Sequence, residues 1–392
     1  MSGTLYLAWR YLAHHRLKTA ILVLALTLIF FIPSGLQVLV DQSEARMTAR
    51  ALSTPLLVGT KGSPLELVLN SLYFSRKNPE TMPYSEVERI AASGLAMPIP
   101  LYVRFKASDA PIVGTSLDYF DFRGLRIARG EQMTRLGDCV LGANVAAARD
   151  LGPGSSILSS PETVFDIAGV YPLKMHVTGV LAEADTPDDD AVFVDVKTAW
   201  VIQGLGHGHE DLAQPEAAAR VLTKRGNVIV GNASVVQYQE ITRGNAESFH
   251  FHGDTSTFPV SGTIAVPHDR KSGTILRGRY EMPDERRQIL EPRSTIGELL
   301  GQVVRIKSYV ITAFVLVGAT TLAVAALVFM LSLRLRRREI ETMVKIGGSR
   351  LGIAGVVLAE ILLVLFLSIA FAMILTALTS AFGSEAVRAF VR

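Results

Sequence analysis

Two short histidine runs carry the residue types and spacing that most directly suggest chemistry. GHGHED places His207 and His209 beside Glu210 and Asp211, and HFHGD places His250 and His252 before Asp254. Imidazole and carboxylate donors suit zinc or copper. His-x-His alternation lets one strand or loop present two ligands. Neither run is as specific as HExxH, and the plainer account is a solvated polar loop. A second candidate is Glu360, alone in an apolar run. A carboxylate in hydrocarbon is costly, by about 2.5–3.5 kcal/mol on insertion scales, unless paired or near the interface. It either meets a polar partner or a moving lateral gate, or it snorkels or is protonated. A third candidate is the basic segment Arg334 to Arg350, RLRRREIETMVKIGGSR.

Other chemistries are not signalled. No GxxxxGK[ST] loop is present to cradle phosphates, and no GxSxG marks a hydrolase nucleophile. Cys139 is the single cysteine, so no internal disulfide is available, and a small buried hydrophobe is its simplest role. The formal charge of +3 over 392 residues gives no support to a nucleic-acid role. A non-catalytic chain is expected.

The elements that must hold these residues follow from hydropathy. Apolar residues make up 49% of the chain and concentrate toward its two ends. Thr19–Val40 is uncharged and long enough to cross about 30 Å of hydrocarbon. It is too long for a cleaved signal and lacks a convincing cleavage site. Val310–Leu333 is a second span and Leu351–Phe382, interrupted by Glu360, a third. Arg10, Arg16 and Lys18 precede the first span, and six Lys or Arg separate the second from the third. Basic short loops stay in the cytoplasm, which puts residues 41–309 and the tail 383–392 outside. Leu5, Trp9 and Leu12 share a face of an amphipathic segment that suits the headgroup layer within residues 1–18.

Residues 41–309 read as a mixed α/β domain on helical stalks. Strands are expected at Leu101–Phe105, Val164–Val170, His176–Leu181, Ala191–Val194 and Val228–Val230. Asn144–Gly152 predicts a short helix closed by its glycine, and Asp188–Asp190 a loop. Asp41–Leu52 and Ile296–Ser308 continue the first and second spans outward as stalk helices.

The segment Arg334–Leu363 resembles the coupling region of the FtsX/MacB superfamily of ABC permeases, in which R-R-x-E-I and a glycine turn precede a span with an early Glu. Arg336, Arg337, Glu339, Ile340, Gly347, Ser349 and Glu360 match, with Ile346 in place of Leu, Lys345 and Gly348 in place of Ala. CVLGANVAAARDLGPGSSI, FDIAGVY, HVTGVL and DDDAVFVDVKTAW are similar to the family's periplasmic core-domain pattern, and so, in one subgroup, is FPVSGTIAVPHD. Some relatives in that subgroup carry a His-rich loop after the strand that matches AVFVDVKTAW.

With the three spans read from hydropathy, the resemblance implies an α+β protein with a large periplasmic domain. It implies a permease subunit of the bacterial inner membrane, working as a dimer with an ATPase subunit that holds ATP and Mg. This chain itself would bind no nucleotide; zinc at His207, His209, His250 and His252 is the one cofactor suggested. Arg336, Arg337, Arg338, Glu339, Ile340, Met343, Ile346, Gly347 and Gly348 would couple to the ATPase. Export, lipoprotein extraction and mechanical activation all remain open as the output. A membrane-anchored metal-binding module or a regulatory scaffold is the alternative. The family usually carries four spans, so three imply a C-terminus outside and a permease truncated or completed by another subunit.

Overall fold

The computed structural model describes residues 2–75, 80–160, 172–208, 221–225, 228–231, 239–282, 285–335, 337–345, 347 and 349–391. The chain forms two compact units, Met1–Met47 with Leu299–Arg392, and Thr48–Glu298.

The first unit is helical. Its elements are Ser2–His14, Arg16–Leu52, Pro292–Leu335, Arg337–Lys345 and Arg350–Val391, two of which begin or end in the second unit. Three stretches are long and apolar enough to cross a membrane: Arg16–Gln42, Pro292–Val328 and Leu351–Phe382. Each overlaps one of the three expected spans, the second starting at Pro292 and not Val310, and both stalk segments belong to the same unbroken helices. The helix also continues to Val391, where a tail was expected. Apolar side chains cannot satisfy the backbone in lipid, so each span bonds its own amides. Pro33 removes one such amide inside its helix. Next to it, Ser34 Oγ donates to the Phe30 carbonyl at 2.8 Å and reaches a side chain across the bundle, Thr376 Oγ1, at 2.9 Å.

That contact is one of a series. Thr27 Oγ1 donates to the Ser368 carbonyl at 3.3 Å, and Gln42 Nε2 to the Ser380 carbonyl at 3.0 Å. Partners ascend together, 27, 34, 42 against 368, 376, 380, so the first and third membrane helices run parallel. Two spans that cross in the same direction, with one returning between them, require this. Lys307 Nζ to Asp41 Oδ1, 2.7 Å, pairs the first and second membrane helices.

Leu5, Trp9 and Leu12 lie within one arc of the N-terminal helix Ser2–His14, of which its neighbours cover only one edge. Leu12 is buried against Leu26 and Val364, beside buried Ala8, whereas Leu5 and Trp9 are 49% and 53% exposed. Leu5 and Trp9 lie at the edge of the stripe, and the small Ala8 admits close helix packing along the other edge. An outward Leu5–Tyr6–Trp9 surface is left.

The second unit is built on a mixed sheet. Its strands run in the order Gln239–Glu240, Leu173–Leu181, Asp138–Leu141, Val192–Asp195, Ala110–Thr115, Ala96–Ala107, Gly262–Pro267, Leu56–Thr60 and Arg287–Leu290. Ile127–Gly130 and Ser156–Leu158 pair with Leu173–Leu181. Ile99, Tyr102, Ile112, Val192, Val194 and Trp200 fill the core, and Cys139 is wholly buried, as expected. Burial pushes the Cys139 thiol up, which keeps it in the inert protonated form. Four expected strands are present, with shifted ends; the fifth, Val164–Val170, lies outside the described residues.

Two local expectations change. The helix is Ala143–Arg149, and Asp150, with φ 50°, ends it before Gly152 is reached. Asp tolerates the left-handed region better than most residues, and the Leu151 amide closes the end on the Ala146 carbonyl at 3.0 Å. The Asp188–Asp190 loop is a 3-10 turn, Pro187–Asp190, held by a reciprocal capping box between Thr186 and Asp189.

Candidate functional site

The basic segment folds as Arg337–Lys345, a helix set between two membrane helices. Ile340 and Val344 lie one turn apart on a common face, and Val344 is 41% exposed. Arg337 and Glu341 form an exposed i,i+4 pair at 3.1 Å. Arg338 is also exposed, and Glu339 and Met343 lie on the same helix. Gly347, with φ +94°, turns the chain in a conformation that side chains other than glycine rarely adopt. Ser349 then caps the third membrane helix, its Oγ accepting from the Gly352 amide at 3.0 Å. Arg336, Ile346 and Gly348 lie outside the described residues. The segment is thus a solvent-facing amphipathic helix with an apolar ridge between charged flanks.

Glu360 is 3% exposed, and it is not without a polar interaction. It is held inside the helical unit, which removes the snorkelling account.

The histidines converge on a small ribbon. Helix Val196–Gln203, capped by Asp195 at its start and by left-handed Gly204 at its end, leads into strand Gly206–Gly208. That strand pairs antiparallel with Phe249–Phe251, setting Gly206 opposite Phe251, His207 opposite His250 and Gly208 opposite Phe249. Alternation sends Phe249 and Phe251 to one face and the histidines to the other. The glycines are required on the aromatic face: a Cβ on Gly206 would lie 2.7 Å from the Phe251 ring, and one on Gly208 2.5 Å from the Phe249 ring. Phe251 then packs edge-on against buried Trp200, whose Nε1 donates to the Pro259 carbonyl at 2.8 Å. On the other face one ligating nitrogen from each of His207, His250 and His252 falls within 4.8 Å of the rest. His209 lies outside the described residues.

One feature carries no signal in the sequence. Arg50, in the last turn of the helix that contains the first span, is buried in the second unit. Its Nη1 donates to Asp188 Oδ2 at 2.6 Å and its Nη2 to Asp188 Oδ1 at 2.9 Å. Nη2 also donates to the Tyr119 hydroxyl at 2.8 Å, and that hydroxyl donates to Asp188 Oδ1 at 2.7 Å. Thr186 Oγ1 adds a bond to Asp188 Oδ2 at 2.9 Å, and Arg50 Nε reaches the Leu72 carbonyl. Burial alone would raise the Asp188 carboxyl; Arg50 outweighs it and holds the group below the usual carboxylate range. Burial likewise works against the Arg50 charge, but Tyr119 and Asp188 hold the guanidinium above its ordinary value. The set is a fully bonded bidentate pair, able to hold a helix end in one position. Thr186-Pro-Asp-Asp has the form of a turn cap; nothing sets Arg50 apart from its charged neighbours.

A sheet-rich domain carried between helices able to cross a membrane defines a membrane protein with a large domain on one side. Residues 19–244, more than half of the chain, match the MacB-like periplasmic core domain. The chain therefore belongs to the FtsX/MacB-like family of ABC transporter permeases. Among solved structures it is similar to the extracellular domain of the noncanonical ABC-type transporter YknZ from Gram-positive bacteria. The identity is 11%, over 60% of this chain and 98% of that one, with TM-score 0.33. It is also similar to the periplasmic region of MacB from Actinobacillus actinomycetemcomitans, 12% identical over 64% of this chain and 92% of that one, with TM-score 0.31. Among curated proteins no match is found.

Proposed function

We propose that the chain couples ATP hydrolysis on a separate ATP-binding-cassette subunit to movement of its periplasmic domain, as a permease subunit in a bacterial inner membrane. The observation that carries this reading is the exposed amphipathic helix Arg337–Lys345 between two membrane helices. An apolar ridge at Ile340 and Val344, flanked by Arg337, Arg338 and Lys345, fits a groove on an ATPase surface. Closure of nucleotide-loaded ATPases would displace this helix and, through Gly347, the third span. The parallel bonding at Thr27/Ser368, Ser34/Thr376 and Gln42/Ser380 passes that displacement to the first membrane helix. That helix is continuous to Leu52, and Arg50 in its last turn is fixed to Asp188 in the periplasmic domain. A rigid helix moved at one end moves what is bonded to its other end. Two copies facing each other would match the two nucleotide sites such ATPases form together. This chain supplies no catalytic group in the scheme; ATP and Mg sit on the partner.

The test is co-purification of the full-length chain with its ATPase subunit from native membranes, followed by ATPase assays in nanodiscs. Charge reversal of Arg337 together with Glu339→Ala is expected to remove association and ATPase stimulation. Unchanged association and stimulation in that variant would sink the coupling role.

A further inference from the structure

We propose that His207, His250 and His252 form a three-imidazole site for a late first-row divalent cation, zinc being the ion tested. The proposal does not rest on the coupling mechanism. Three observations carry it.

The first is separation. His207 Nε2 and His252 Nε2 lie 3.3 Å apart. Two nitrogens bound to zinc at about 2.0–2.1 Å in a tetrahedron stand about 3.3 Å from each other. One nitrogen of His250 completes the group within 4.8 Å. A rotation of one exposed imidazole closes the remaining gap.

The second is tautomer. His250 Nδ1 lies 3.0 Å from the Ser248 carbonyl oxygen. A carbonyl only accepts, so Nδ1 is the protonated nitrogen. The ring's lone pair is then on Nε2. Metal-bound histidines characteristically donate their second nitrogen to a carbonyl or carboxylate in this way.

The third is scaffolding. The ribbon's two faces are segregated by strand alternation, with Gly206 and Gly208 letting Phe249 and Phe251 pack tightly below. His207 sits directly opposite His250, and His252 is two residues further along the same face. The His252 amide extends the ribbon, donating to the Leu205 carbonyl at 3.4 Å. The ligands are thus on paired backbone anchored in the core, not on independent loops.

Three neutral imidazoles with no oxygen donor among them favour zinc or copper over magnesium or calcium. Three protein ligands leave a fourth position for water or for a donor from another molecule. His250 and His252 are exposed, so an ion can enter from solvent and leave again. That accessibility suits reversible capture of a free cation. A proton shared between His207 and His252 is the other occupant the same 3.3 Å spacing could hold, and the experiment separates the two.

The experiment uses the full-length chain in detergent, stripped of metal and titrated with Zn²⁺ against a chromophoric chelator. One zinc per chain is expected. His207→Ala, His250→Ala and His252→Ala are each expected to weaken binding at least as much as loss of an outer-shell partner does, about 10–100-fold. The triple variant should lose it, and His176→Ala, away from the ribbon, should leave it unchanged. Co²⁺ should give the intense visible bands of a four-coordinate site in the parent chain and not in the triple variant. Because His250 and His252 are exposed, all variants should elute and melt as the parent does. No saturable Zn²⁺ binding by the parent chain would overturn the proposal and leave the shared proton as the occupant. Binding retained by the triple variant would overturn it too.

Discussion

Arg50 and Asp188 meet in a two-pronged ion pair, 2.6 and 2.9 Å, at the end of a helix that begins at Arg16. Every oxygen of the carboxylate and every nitrogen of the guanidinium has a bonding partner in this set. Its contribution lies in what happens when one member is removed.

Asp188→Asn or Arg50→Ala leaves an uncompensated buried group, and each is expected to destabilise the domain by about 3–5 kcal/mol. Denaturant unfolding of the full-length chain, followed by Trp200 emission in a Trp9→Phe background, measures this. The pH dependence has a definite sign. The folded Asp188 carboxyl titrates below its unfolded value, so its contribution is complete above the unfolded value, about pH 4. It disappears as pH falls through the lower folded value. The stability gap between parent and Asp188→Asn should therefore be constant from pH 7 to 5 and shrink below 4. A gap unchanged at pH 3 would show that the carboxylate charge contributes nothing.

Gly142→Ala tests the support of the same turn. A Cβ there would lie 2.3 Å from the Asp188 carbonyl oxygen and 2.4 Å from that of Asp189. Backbone cannot swing away as a side chain can, so the turn must shift. A loss of about 1–3 kcal/mol is expected. Combined with Asp188→Asn, the losses should fall short of additive, because both act on one contact. Full additivity in a double-mutant cycle would place the strain elsewhere.

The bonds between parallel membrane helices should each be small. Thr27→Val removes the donor to the Ser368 carbonyl, and Ser368→Ala removes the bond that Ser368 Oγ donates to the Val23 carbonyl at 3.3 Å; each is expected to cost about 0.6 kcal/mol, and at most about 1.7. Steric trapping in bicelles resolves such values. A cost of several kcal/mol would mean that these side chains do more than stitch the helices.

Gly206→Ala sets a methyl group against the Phe251 ring. The ring or the ribbon must move, at a cost of about 1–3 kcal/mol. Near-ultraviolet circular dichroism should report a disturbed Trp200–Phe251 contact, 6.1 Å between centroids in the native ribbon. An unchanged spectrum with unchanged stability would show that the ribbon accommodates the methyl group freely.

Legibility in the sequence tracked how local the cause of each feature was. The three spans were legible because lipid imposes one requirement on every residue of a long run, and composition alone reveals it. The turn after helix Arg337–Lys345 was legible from the glycine at 347, whose left-handed conformation is a property of one residue. The end of helix Ala143–Arg149 was misplaced because Asp150 competes with Gly152 for the left-handed position, and the Ala146 carbonyl decides between them. Leu5, Trp9 and Leu12 share a face by spacing alone, but which edge of that stripe is covered depends on the neighbour that covers it.

The sequence by itself determined that this chain has three apolar helices, a sheet-rich domain between the first and second, and histidines in two alternating pairs. Each follows from periodicity or composition within some twenty residues. Only the tertiary structure decided which groups meet. Pairing of Gly206–Gly208 with Phe249–Phe251 brings His207 to His250 across 43 positions, and Arg50 reaches Asp188 across 138. The physical reason is that a buried charge or a shared ligand is satisfied by proximity in space, and strand register and helix docking create that proximity without leaving a local pattern in the chain.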